Sequence, residues 1–481
     1  MRPRQIAYII WTVIALLGVI SLVVPDGGWH IGKWNLRWPT LAEALDLTNE
    51  GVKELTSDSL LAETDTIGLI PADSVIQQDT LAVKDSVAQK SQPIIPKVNV
   101  ANTDSRAYMA AFYAALDSTS TQPVRVVHYG DSQIEEDRIT NVLRERWQKQ
   151  YGGGGTGLLP LHQTIPTRTI RQWLSINGVV QTAQKGPKRY LVYGLRSMRL
   201  TDSDDYGVMG QVAVMDSTLV EGSEDIVMNI EPIDKKRKPH NYFNRVRVLT
   251  DSAYAIKNFE LRIKSGDSLN VIKNSELRIK SQDFLLPDST TKCEIHLRGK
   301  GHVYGVSLET PTGVIVDNIP MRGCSGNIFT KIDSTQLSDF YRETNTRLII
   351  LQFGGNMIPQ TENPSTISGY VRSTLRQQIR YIRACAPQAS ILFIGPSDMS
   401  TNIDGQMTTY PMVPYMDKLL KKMAAEEQIA YWSMYDAMGG KDSMVRWVEN
   451  GLAGSDYVHF TRSGANNIGK KLYNWIEEGE R

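Results

Sequence analysis

A chain of 481 residues with 53 Lys and Arg against 52 Asp and Glu has a formal charge of +1, which gives no sign of a polyanionic partner and argues against nucleic acid. With 41% hydrophobic and 22% charged residues it can bury a real core, and its length allows two folded units plus appendages. Three cysteines, Cys293, Cys324 and Cys385, are too few and odd in number for a disulfide scaffold.

The first element is Ile6 to Val24, 19 consecutive uncharged residues rich in Ile, Val, Leu and Ala. As a helix it would be about 28 Å long, enough to cross a hydrocarbon layer. Arg2 and Arg4 precede it, so the positive-inside tendency puts the N-terminus in the cytoplasm and the rest outside, a bias that Lys33 and Arg37 weaken. No small-x-small cleavage site ends the stretch, which favours a retained anchor over a signal peptide. Trp29, Trp34 and Trp38 suit an interfacial belt. Residues 1–48 therefore read as anchor and juxtamembrane segment, and residues 49–104, without sustained periodicity, as a disordered tether.

The folded region opens with a helix predicted near Arg106–Leu116 and a strand over Val124–Tyr129 that ends at Gly130. A helix over Glu135–Lys149 follows. The run Gly152–Gly155 comes after this helix and lacks a following Gly-Lys-Ser/Thr, which excludes a phosphate-binding loop. Residues 158–311 then read as an inserted all-β sandwich or jelly roll. It contains strands such as Arg189–Tyr193 and Val208–Val214, and a near-duplicate, Glu260–Ser265 and Glu276–Ser281. Its basic run Lys235-Lys236-Arg237-Lys238, followed by Pro239, reads as a solvated turn. Residues 312–481 alternate strands (Val314–Val316, Arg347–Phe353, Ile391–Ile394, Ile429–Trp432) with helices (Thr335–Thr344, Ser365–Cys385, Met416–Glu427, Ser463–Glu478), the pattern of a parallel sheet with helices on both faces. In such sheets chemistry gathers beyond the carboxyl ends of strands, where Ser132 and Asn356 both fall.

Taken singly, Ser132 reads as a cap, Asn356 as a turn residue, Gly323 as a loop glycine and His459 as a surface histidine. Taken in order, Gly130-Asp131-Ser132-Gln133, Asn318–Gly326 with Gly323, Gly354-Gly355-Asn356 and Asp456-Tyr457-Val458-His459 resemble the four blocks of the SGNH hydrolases, the GDSL-type esterases. Gln133 stands where many members have Ile or Leu, and Met357 where many have an acid. The resemblance implies a flavodoxin-like three-layer α/β/α domain formed by residues 105–157 and 312–481. It implies Ser132 as nucleophile, His459 as its base and Asp456 as the residue that orients His459, with an oxyanion hole from Ser132 N–H, Gly323 N–H and the Asn356 amide. Asp131 is expected to serve the turn, and Cys324 to pack.

Ser132 and Gly323 are 191 residues apart, and a β module interrupting the catalytic domain is similar to the peptidoglycan O-acetylesterases of this group. Tyr190, Tyr193, Tyr206 and Tyr242 of that module could face a sugar, though ordinary half-buried strand residues are the simpler reading. The expectation is a bacterial inner-membrane esterase with a periplasmic catalytic domain, acting on O-acylated polysaccharide or peptidoglycan and needing no cofactor. An O-acetyltransferase partnered by a membrane acyltransferase, or a non-catalytic glycan-binding protein, are the alternatives. Metal catalysis is not expected, because the seven histidines are scattered and neither His-x-x-x-His nor a paired-cysteine spacing occurs.

Overall fold

The computed structural model describes residues 29–31, 34–36 and, apart from short stretches between residues 164 and 300, residues 104–479. The anchor segment Ile6–Val24 and residues 49–103 lie outside the described residues, among which no helix is long and apolar enough to cross a membrane. The chain divides into two units, Met1–Gln77 and Gln78–Arg481. In the first, Trp29–Ile31 pairs antiparallel with Trp34–Leu36.

The second unit is organised by five parallel strands, β1 (Pro123–Gly130), β2 (Gly313–Pro320), β3 (Thr346–Gln352), β4 (Ser390–Ile394) and β5 (Ala430–Trp432), in the order β2-β1-β3-β4-β5. This order reverses direction between β1 and β3, the crevice in which doubly wound sheets bind ligands. Successive side chains of a strand point to opposite faces, and β1 shows the consequence: Val124 and Val126 join one core cluster, Val127 and Tyr129 the other. Helices α1 (Thr140–Tyr151) and α5 (Arg462–Glu477) supply Leu143, Trp147, Leu472 and Ile476 to the first cluster. Helices α2 (Ser334–Glu343), α3 (Arg376–Cys385) and α4 (Met412–Glu426) supply Phe340, Ile382 and Leu420 to the second. The sheet is thus covered on both faces.

Two helices differ from the sequence reading for local reasons. α1 begins at Thr140, not Glu135, because Ser132–Asp137 forms a 3-10 turn in which Glu136 and Asp137 take φ of 58° and 62°. The long helix expected over Ser365–Cys385 runs from Pro364 through Cys385, but it contains a π turn over Tyr370–Leu375 between Pro364–Gly369 and α3. A hairpin of Ser400–Ile403 with Gln406–Thr409 and the short helices Met434–Met438 and Ser443–Glu449 have no counterpart in that reading.

Between β1 and β2 the chain forms antiparallel strands. A six-stranded sheet contains Gly157–Leu159, Lys188–Leu191, Gln211–Met215, Arg245–Thr250, Ser281–Leu285 and Gly301–Glu309, and a four-stranded sheet contains Ile170–Ile176, Val179–Val180, Ile226–Pro232 and Cys293–Leu297. Val246, Val306 and Leu308 of one share a buried cluster with Leu174, Met228 and Ile295 of the other. The first of the duplicated segments lies in Ile256–Ser265, which pairs with Ser268–Leu277, whereas the second straddles the end of that partner strand and runs into undescribed residues. Tyr193 and Tyr206 are core residues packed with Met321 and Cys324, while Tyr190 and Tyr242 are half-buried.

These strands are tied to the parallel sheet by buried charge. Arg125 of β1 donates to both oxygens of Asp317 of β2 at 2.7 and 2.8 Å and also pairs with Glu309, all three side chains being fully buried. Arg245 and Arg247 approach Glu309 Oε1 at 3.3 Å from the antiparallel side. The glycine run serves the same junction, for Gly155, at φ 76°, lies so close to Leu308 C=O that no Cβ fits.

Candidate active site

The nucleophile turn is built at the carboxyl end of β1. Asp131 caps it by accepting Gln133 N–H at 3.0 Å, and Ser132 follows, half-buried, at the start of the 3-10 turn. Gln133, the residue that departs from the family pattern, donates through its carboxamide to Val458 C=O at 2.6 Å and Ser397 Oγ at 3.3 Å. One buried side chain thereby holds the serine turn against the segment that carries His459. Sequence reasoning missed this role, because a polar residue in an apolar position gives no hint of its distant partner.

Ser132 Oγ and His459 Nε2 are 2.8 Å apart, and His459 Nδ1 is 2.7 Å from Asp456 Oδ2. The other carboxylate oxygen accepts the N–H groups of Val458 and His459, both at 3.0 Å. Burial opposes ionisation of Asp456, but the His459 ring and these two N–H groups outweigh it and lower its carboxyl to about 2. The turn stays tight because Tyr457 takes φ 56° and Gly454 N–H donates to His459 C=O at 2.8 Å. A hydroxyl, a ring nitrogen and a fixed carboxylate in this order form a relay that can remove the serine proton.

The remaining donors come from the ends of β2 and β3. Met321 N–H donates to Gly130 C=O at 2.7 Å, bringing the loop after β2 beside the serine turn, and Gly323 in that loop takes φ 69°. Arg322, immediately before Gly323, makes a bidentate pair with Glu135 at 2.8 Å to each oxygen, and Glu135 is only 3% exposed. This clamp joins the glycine loop to the serine turn and had no signature in the sequence.

Asn356 lies in the 3-10 turn after β3, where its Nδ2 donates to Cys324 C=O at 3.1 Å and to Asp131 Oδ2 at 3.3 Å. Asp131 thus touches Asn356 as well as capping the turn, and burial raises its carboxyl to about 6 against the Gln133 N–H and the nearby His459. Cys324 is buried and its thiol is raised to about 12, chiefly by desolvation, which suits packing and not nucleophilic work. The other cysteines, Cys293 and Cys385, are buried free thiols.

Residues 288–466 match the GDSL-like lipase/acylhydrolase family model. The match contains Gly323, Asn356, Asp456 and His459 together with the last two antiparallel strands, Cys293–Leu297 and Gly301–Glu309, whereas Ser132 lies outside it. Over these residues the chain resembles the GDSL-like lipases and acylhydrolases. The match supports a serine hydrolase acting on ester bonds. Its fold is similar to that of a peptidoglycan O-acetylesterase, with 20% identity over 79% of this chain and 98% of that one, at a TM-score of 0.57. A family two carbohydrate esterase from Cellvibrio japonicus matches at 10% identity over 64% of this chain and 99% of its own, with a TM-score of 0.25. An acetyl xylan esterase matches at 12% identity over 34% and 81%, with a TM-score of 0.27. Comparison with curated proteins gives no match.

Proposed function

We propose that this chain is an esterase that removes O-acetyl groups from cell-envelope polysaccharide such as peptidoglycan, held at the bacterial inner membrane by Ile6–Val24 with its catalytic domain in the periplasm. The observation that carries the reading is the unbroken contact sequence Ser132 Oγ, His459 and Asp456, at 2.8 and 2.7 Å, beside the Gly323 loop. The fold shared with a peptidoglycan O-acetylesterase makes acetylated glycan the substrate class to test first.

Ser132 attacks the acetyl carbonyl as His459 takes its proton, and the charge on the carbonyl oxygen falls to Ser132 N–H, Gly323 N–H and the Asn356 amide. Asn356 supplies that donor by giving up its longer bond, the 3.3 Å contact with Asp131. His459 then returns the proton to the departing sugar oxygen, and water resolves the acetyl-enzyme by the same route in reverse. The antiparallel strands between β1 and β2, as a glycan-presenting module, set the polymer beside the serine.

Acetate release from O-acetylated peptidoglycan tests this. Wild-type protein releases acetate and Ser132→Ala lowers the rate by about 10⁴-fold or more. A wild-type chain that releases none from any acetylated carbohydrate, or an undiminished variant, contradicts the reading. Acetyl groups recovered on an added acceptor glycan in place of free acetate would make the enzyme a transferase.

A further inference from the structure

A hollow of about 600 Å³ lies between α1 and α5, and a second of about 360 Å³ adjoins it along α5, Asn466 and Lys470 lining both. Ligand sites commonly fall in this range of volume. Their walls hold Arg146, Lys149, Lys238, Lys470 and Lys471 against the one lining carboxylate, Glu145. A whole-chain charge of +1 therefore conceals a strong local excess of cations.

Glu145 faces Lys149 at 2.7 Å and Lys238 at 3.3 Å, and Asp234 faces Lys238 at 3.7 Å, so the cation excess of this surface rests on Arg146, Lys470 and Lys471. Lys238 closes the basic run expected to be a solvated turn, yet it reaches back to α1 from between two antiparallel strands. Arg146 lies over the Tyr473 ring at 4.9 Å, and Lys470 and Lys471 are exposed on α5. That helix begins at Arg462, three residues beyond His459, so the groove leads away from the candidate base.

We propose that this groove binds an acidic segment of the polysaccharide, its carboxylates on the lysines and Arg146 and its hydroxyls on the amides of Asn466, Asn467 and Asn474. The substrate class rests on the esterase reading. Concavity and the row of carboxamides favour a hydroxyl-bearing polymer over a lipid surface, because amides pair with hydroxyls while a planar membrane calls for an outward-facing basic patch. Bound there, the strand would keep further ester groups near Ser132 after each turnover.

The test measures binding of oligogalacturonate to the full chain and to Lys470→Glu/Lys471→Glu, exposed positions whose exchange spares the core. The acidic oligosaccharide binds the wild type, binding weakens with added salt and by roughly tenfold in the variant, and uncharged maltooligosaccharide does not compete. No binding at low salt, or equal binding to both chains, overturns the proposal. So does a variant that loses only its partition onto phosphatidylglycerol vesicles. Hydrolysis of 4-nitrophenyl acetate by both chains separates the two ideas: the variant retains the wild-type rate, whereas failure of both chains to hydrolyse it counts against the esterase reading and leaves the binding comparison intact.

Discussion

At the scale of single residues, the site depends on contacts that hold three segments together. Removing the Gln133 carboxamide as Gln133→Leu releases Val458 C=O and loosens the loop carrying His459. A displacement of about 1 Å at a reacting centre can cost a hundredfold, so kcat should fall roughly tenfold to a hundredfold with KM little changed, as steady-state kinetics would read. Asp131 makes a different prediction. Its carboxyl is raised to about 6 from 3.8, chiefly by burial, so between those pH values the folded chain keeps a proton that the unfolded chain has released. Its contribution to stability is therefore complete below pH 3.8 and drains away as pH rises through 6. Asp131→Asn retains an acceptor for Gln133 N–H and lacks this slope. Urea unfolding should show the variant gaining on the wild type between pH 4 and 7, by on the order of 2 kcal/mol; a constant difference contradicts the assignment. Asp456 has the opposite sign, its contribution being present above 3.8 and lost as pH falls through about 2. The residues that meet here as Ser132, His459 and Asp456 were legible because each lies in a short local pattern. Gln133, Glu135 and Arg322 were not, since their partners are set by tertiary folding alone.

At the scale of elements, strands were read more accurately than helix ends. β3 and β4 carry continuous apolar runs, and β1 one interrupted only by the buried Arg125 and His128, because both faces of the parallel sheet are buried, and such runs are visible without any fold. The start of α1 was hidden, because Glu136 and Asp137 give no warning that they adopt positive φ. The π turn at Tyr370–Leu375 was hidden for a similar reason, the apolar spacing through Ile367, Val371 and Leu375 passing smoothly across it. The glycine run illustrates a motif whose purpose is packing: Gly155 needs both its positive φ and its missing side chain, with Leu308 C=O directly against it. Gly155→Ala should therefore lower stability by about 3 kcal/mol, combining backbone strain with overpacking, as the shift in urea midpoint would measure. A shift below about 1 kcal/mol would mean that the junction has room to adjust.

At the scale of the molecule, the antiparallel strands and the parallel sheet are joined by charge as well as by apolar surface. Arg125 neutralises two carboxylates, Asp317 and Glu309, that have no exposure to water. Replacing it as Arg125→Met takes the cation from Asp317, while Glu309 keeps Arg245 and Arg247, and should cost about 3–5 kcal/mol, read by denaturant unfolding, with the two sheets losing structure in the same transition. The sequence suggested a β block between Ser132 and Gly323 from its short strands and turns, but nothing in a linear pattern shows that Tyr193 and Tyr206 would pack beneath the glycine loop. Everything functional follows from folding that brings Ser132 to His459 across 327 positions of chain. Fluorophosphonate labelling of the intact protein, with the adduct located by peptide mass spectrometry, tests that claim most directly. The account predicts modification of Ser132 in the wild type and its loss in His459→Ala. No adduct, an adduct on another residue, or undiminished labelling without His459 would contradict it.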